Sequence, residues 1–124
     1  MNLLPTPAIA GVLGDVRLIS AATNNATVVK AGPGSVALIV ASNVNAAVRY
    51  LKFYNKATTP APASDNTLLK LVVALPPGSV NQVIAPPCGI QFSSGISFAL
   101  VTGITDTDNT AVAISEQLVY VQYV

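Results

Sequence analysis

The run Asp106-Thr107-Asp108-Asn109 sets alternating side-chain oxygens along the chain, as the start of a calcium loop does. Such a loop also needs a glycine at its sixth position and a glutamate at its twelfth. Both are missing, and nothing in Ala111–Ile114 can ligate a cation. The reading that remains is a turn whose Asp and Asn side chains hydrogen-bond their own backbone. Cys88 is the one thiol. A nucleophilic thiolate needs a base or a positive neighbour. The chain has no His, and the basic residue nearest to Cys88 in sequence is Lys70. Cys88 is therefore expected to be a small buried apolar group. A glycosidase pair could be drawn from Asp15, Asp65, Asp106, Asp108 and Glu116, the five carboxylates. Most stand in turn-like contexts, where solvated turn residues are the simpler reading. Ser93-Ser94-Gly95 lacks the frame of a nucleophile elbow, and Gly32-Pro33-Gly34 lacks the Gly-Lys-Ser/Thr of a phosphate loop. No catalytic residue, cofactor or metal is expected.

Two groups of side chains could bind rather than react. Tyr50, Tyr54, Tyr120 and Tyr123 could form a sugar-stacking or protein-binding surface, or simply pack across strands. Arg49, Lys52 and Lys56 are the densest basic group. At strand spacing they divide between two faces, so they make no stripe for phosphates. With a formal net charge of +1, no nucleic-acid partner is expected.

Composition narrows the class further. Only 9% of residues are charged, against roughly 25% in an average soluble domain. Yet 52% are apolar. A surface so poor in charge must be covered by Ser, Thr, Asn and Gln, or by another protein. A chain of 124 residues is one domain by length and needs no disulfide to fold. A lone Cys fits folding in a reducing cytosol. The N-terminus has no basic start and is interrupted by Pro5 and Pro7, so no signal peptide is expected. The uncharged stretches Ala31–Val48 and Leu71–Thr105 are broken by Gly, Pro and Asn, which argues against a membrane span.

The elements that must carry these residues read as strands. Short β-branched runs alternate with turn residues, at the spacing of a sandwich or barrel. Met1–Gly14 reads as an extended N-terminal arm, because its prolines keep it out of sheet ladders. Strands are expected at Val16–Ala22, returning through Asn24-Asn25 into Ala26–Ala31. Others are Ser35–Ser42, Ala47–Lys56, Thr67–Leu75, Ser79–Ala85, Ile90–Phe92, Gly95–Thr102, Ala111–Ile114 and Gln117–Tyr123. In Ala47–Lys56 alternation assigns Leu51 and Phe53 to the core and lays the tyrosines on the sheet surface with their hydroxyls in water. The short loops require antiparallel pairing. The expected fold is all-β: residues 15–124 as one antiparallel sandwich of jelly-roll type, with eight or nine strands.

The stretch Val48-Arg49-Tyr50-Leu51-Lys52-Phe53-Tyr54-Asn55-Lys56-Ala57-Thr58 is followed by a Pro-rich loop and an apolar strand. Gly89-Ile90-Gln91-Phe92-Ser93-Ser94-Gly95-Ile96 comes next. Val101-Thr102-Gly103, Asp106-Thr107-Asp108 and Thr110-Ala111-Val112-Ala113 complete the order. Over about Ala47–Val124 this order resembles the small virion structural proteins of tailed bacteriophages and prophages. The resemblance implies a non-enzymatic capsid decoration, or cement, protein: a β-sandwich on the capsid exterior, made in the host cytoplasm and bound to the major capsid protein. It brings no catalytic residues with it. A homo-oligomer is expected, a trimer before a dimer. Its interface candidates are Leu3, Leu4 and Ile9 of the arm, Val36, Leu38 and Val40 of a uniformly apolar strand, and Tyr50, Tyr54, Tyr120 and Tyr123. A tail, baseplate or fibre-attachment domain is the first alternative, and a carbohydrate- or receptor-binding module the second.

Overall fold

The computed structural model describes residues 13–124, which form nine strands. In chain order these are β1 (Gly14–Ile19), β2 (Thr27–Lys30), β3 (Gly34–Asn43), β4 (Arg49–Asn55), β5 (Leu69–Leu75), β6 (Ser79–Ile84), β7 (Ile90–Phe92), β8 (Ile96–Val101) and β9 (Gln117–Tyr123). A single 3-10 turn, Asn66–Leu68, precedes β5. Among the described residues no helix is long and apolar enough to cross a membrane.

The strands form two sheets, with every pairing antiparallel. The front sheet runs β1-β9-β3-β6, and the back sheet β2-β8-β4-β5. β7 also pairs with β3, at Gly34–Val36, while β6 pairs with the far part of β3 at Ile39–Asn43. β6 and β7 thus lie end to end along one edge of β3, as one interrupted strand. Pro86 and Pro87 make the interruption, because proline has no N–H to give a ladder. Gly89 follows with φ +72°, and a Cβ there would stand 2.5 Å from Ser35 Oγ. Counting β6 and β7 as one, eight strands pass back and forth between the sheets, except that β4 and β5 follow each other as a hairpin in the back sheet, and the two sheet orders are those of a jelly roll.

Between the sheets lies one apolar core, with Val36, Ile39, Val119 and Val121 from the front and Leu51, Phe53, Phe98 and Leu100 from the back. Phe53 sits between Phe92 and Phe98, with ring centroids 6.3 and 5.7 Å away in tilted pairs. Such tilted geometry suits the quadrupoles of aromatic rings. Leu51 and Phe53 are core residues, as alternation requires.

Three expectations about elements are corrected. β1 and β2 do not form a hairpin; the turn at Asn25, φ 53°, carries the chain from the front sheet to the back. Ala111–Ile114 is no strand. It is loop, held by Val112, whose buried side chain joins the core and whose N–H donates to Thr23 O at 3.2 Å. Gly14 belongs to β1 and not to an arm. The rest of the proposed arm, residues 1–12, lies outside the described residues.

Candidate docking surface

The two sheets are finished in opposite ways, and the difference begins with β4. Tyr50, Lys52 and Tyr54 alternate away from the core, and their partners on β8 are Val101, Ala99 and Ser97. A strand face turned outward should be wet. Here Lys52, Tyr54, Ser97, Ala99 and Val101 are all fully buried. Two loops of the same chain cover them. From the loop after β8, Thr105 O accepts a hydrogen bond from Lys52 Nζ at 2.5 Å, and Asp108 O accepts one at 3.5 Å. Burial lowers the Lys52 pKa, and the charges of Asp108 and Asp106 oppose that shift. From the loop after β4, Pro60 and Pro62 are buried, and Asp65 takes a 2.6 Å ion pair from Lys56 and the Ala61 N–H at 2.7 Å. Tyr54 lies beneath. Its hydroxyl has no hydrogen-bond partner among the described residues, and its pKa is pushed up to about 12, first by burial and then by the charges of Asp65 and Asp106. The expectation that the Tyr54 hydroxyl lies in water is therefore corrected.

The Asp106–Asn109 run is a turn. Asp108 accepts from Gly103 N at 3.0 Å, Thr110 Oγ1 at 3.0 Å and Thr110 N at 3.3 Å, which uses its oxygens within the loop. Among the described residues no three of His, Cys, Asp and Glu stand together as metal ligands. The basic group is also consumed internally. Arg49 pairs with Glu116 at 3.0 Å, Lys52 is buried and Lys56 holds Asp65.

A polar network ties the two sheets at one end. Glu116, just before β9, accepts from Arg49 Nε of β4, from Ala113 N at 3.0 Å and from the Asn45 amide in a very short contact. Burial alone would raise the Glu116 pKa. The Ala113 N–H, the Arg49 guanidinium and the Gln117 and Asn45 amides outweigh it and hold the carboxyl down at about 2. Beside it Asn43 is wholly buried. Its Nδ2 donates to the carbonyls of Ala47 and Leu75 at 2.9 and 3.0 Å, and its Oδ1 accepts from Gln117 Nε2 at 2.9 Å. Ser20 Oγ accepts from the N–H groups of Glu116 and Gln117, both at 3.1 Å. Each of these side chains has a structural partner, while the other amide atom of Gln117, Oε1, is buried without one among the described residues.

Among the described residues the front sheet carries no such cover. The registers align its outward residues in rows across the strands: Asp15, Gln122, Leu38; then Arg17, Tyr120, Val40, Val83; then Ile19, Leu118, Ser42. Most of these side chains are apolar. Ile19 is 52% exposed, Val83 61%, Val80 69% and Val44 68%. Leu38, Val40, Leu118 and Tyr120 lie half-buried among them. A shallow groove of about 280 Å³ runs through the last row, walled by Ile19, Leu118, Val44 and Val80 with Ser42 and Arg17 at its rim. Contiguous exposed apolar surface of this kind marks interaction sites in soluble proteins. The only charges in the rows are Asp15 and Arg17, at the β1 edge.

This surface gathers part of the interface set expected from sequence. Leu38, Val40 and Tyr120 lie on it. Val36 does not; a register shift between Val36 and Leu38 turns Val36 into the core, where it is fully buried. Tyr54 is sealed under loops, and Tyr50 is half-buried on the back sheet. Tyr123 packs on the core at the β1 edge, its ring so close to Gly14 that a Cβ there would sit 2.6 Å from Tyr123 Cζ. Leu3, Leu4 and Ile9 lie outside the described residues. Ile19, Val83, Val80 and Val44 were not anticipated. The alternation Leu13, Asp15, Arg17, Ile19 contained the signal for Ile19, since all four must share one face. Cys88 was expected to be buried and is exposed. Its loop, between Pro87 and Gly89, projects where β6 breaks away from β3. Comparison of the chain with protein-family models, with curated proteins and with solved structures finds no match.

Proposed function

We propose that the protein is a non-enzymatic structural component of a tailed-phage virion, a decoration protein on the head exterior that bridges capsomers through its front sheet. One observation carries this reading: the chain's own loops cover the outer face of the back sheet along β4 and β8, whereas among the described residues nothing covers the largely apolar front face. A face so built is completed by another protein. The order of segments from Ala47 to Val124 supports a virion protein as the owner of that face, and jelly rolls recur among capsid domains. The contacts such a face offers are apolar and neutral polar, so they are screened little by salt, which suits a particle that meets varied ionic strength. Binding to the assembled lattice and not to free capsid subunits would stabilise the lattice by mass action.

The test is co-sedimentation with expanded, empty phage heads, using the wild type and the variant Val83→Lys, which places a charge among the exposed apolar residues of the face on its edge strand β6. The wild type should pellet with heads, and the variant should remain in the supernatant while keeping its circular dichroism spectrum. Absence of wild-type binding, or undiminished binding by the variant, overturns the reading.

A further inference from the structure

We propose that β1 is a self-pairing edge: two copies of the chain join β1 to β1 antiparallel about a twofold axis at Val16, making one continuous sheet from their two front sheets. The inference does not depend on what the front face binds.

β1 is the last strand of the front sheet, with β9 on one side and no neighbour on the other among the described residues. It contains no proline and no bulge, two of the usual guards of an open edge, and its two charges, Asp15 and Arg17, are of opposite sign. Which of its backbone groups are free follows from the ladder. Ser20 N donates to Gln117 O at 2.9 Å, continuing the β1–β9 register, so even-numbered residues bond to β9. Antiparallel strands alternate bonded and non-bonded pairs. The N–H and C=O groups of Asp15, Arg17 and Ile19 therefore point to the open edge.

A second β1 can use those groups only in a register that sets odd residues opposite odd residues. The outward side chains Leu13, Asp15, Arg17 and Ile19 then select among the few registers left. Centring the axis on Asp15 or on Arg17 opposes two like charges, which is unfavourable for directly facing residues. Centring it on Val16 places Asp15 opposite the partner's Arg17 and Leu13 opposite the partner's Ile19, and does so twice by symmetry. The pattern apolar, acid, base, apolar is complementary to itself when read backwards, and an isologous interface requires that property. The inner face agrees. Val16 and Leu18 point toward the core yet are only partly buried, because the sandwich ends at this edge. In the paired state Val16 of each copy meets its equivalent and closes the gap.

The test uses charge reversal. Analytical ultracentrifugation of the full chain at micromolar to tens-of-micromolar concentration should show a dimer for the wild type. Asp15→Arg and Arg17→Asp should each weaken association about tenfold or more, since reversal sets like charges opposite one another at two places per dimer. The double variant Asp15→Arg/Arg17→Asp should dimerise like the wild type. An equimolar mixture of the two single variants should also dimerise, because each supplies the charge that the other lacks. Circular dichroism establishes that each variant is folded. A monomeric wild type, single variants that dimerise undiminished, or a mixture that stays monomeric each overturns the proposal. Loss of head binding by Val83→Lys with the dimer intact separates this inference from the decoration reading.

Discussion

Acid should loosen the end of the sandwich that Glu116 fastens. Folded, its carboxyl titrates at about 2, against an ordinary value of 4.5. The folded pKa is the lower one, so the unfolded chain takes up the proton first. Stability from this group is complete above about pH 4.5 and is lost as pH falls through that value toward 2. The difference between 4.5 and about 2, at 1.36 kcal/mol per unit, corresponds to about 3 kcal/mol. Roughly 2 kcal/mol of it should be gone by pH 3. The loss is large against a total stability of about 5–15 kcal/mol for a domain. The assay is urea unfolding of the wild type and Glu116→Gln at pH 6 and at pH 3. Glutamine keeps the size of the side chain and does not titrate. Asp65 and Asp108, whose carboxyls are also held low by hydrogen bonds, titrate in both proteins and cancel in the comparison. The wild type should be the more stable at pH 6, with its advantage reduced by about 2 kcal/mol at pH 3. An advantage that is the same at both pH values would refute the assignment of the clamp to the ionised carboxylate.

Asn43→Ala should cost about 3 kcal/mol in the same assay at neutral pH, because it strands the buried Leu75 carbonyl and the Gln117 amide; a loss below about 1 kcal/mol would mean that water replaces the amide. Tyr54→Phe should leave the melting temperature unchanged or raise it slightly, since the hydroxyl removed is buried and has no partner among the described residues; a clear fall would show that the hydroxyl has a partner. Cys88 should react stoichiometrically with a thiol reagent in the native state, and Cys88→Ser should change stability by less than about 0.5 kcal/mol; a slow, unfolding-limited reaction would place the thiol in the interior.

The sandwich was legible because its strands are short, β-branched and punctuated. Pro76-Pro77-Gly78 and Pro86-Pro87 bound β6 as turn chemistry requires, and alternation in β4 assigned Leu51 and Phe53 to the core correctly. Alternation says which residues share a face but not what lies over that face. Lys52 and Tyr54 read as surface, and became interior when the loops around Pro60 and Thr105 folded over them. Cys88 failed for the converse reason, since its apolar character said nothing of a loop pushed outward by two prolines. The front face was partly legible. Leu38, Val40 and Tyr120 were singled out from strands apolar on both sides, whereas Val83 and Ile19 stand in strands mixed with Asn, Gln, Asp and Arg. Their collection into one surface depends on registers between distant strands, which local pattern does not contain. Val36 shows the limit most clearly, because one register shift moved it from the expected face to the other.

The position of β9 between β1 and β3 has a consequence for how the molecule comes into being. Asp15 and Tyr120 meet across β1 and β9 although they are 105 residues apart in sequence. At the usual rates of synthesis, roughly 5–20 s separate the making of one from the making of the other. Through that interval β1 has no ladder to join among the described residues, and β3 has β6 and β7 on one side but lacks its neighbour on the other. Among the described residues β1 pairs only with β9, so the nascent chain carries β1 unpaired until Gln117–Tyr123 is made, and the front sheet then closes around that strand. Folding dominated by such distant pairings is slow, and the waiting strands are open to pairing with other nascent chains. The yield of folded protein should therefore depend on how well these strands are shielded while they wait.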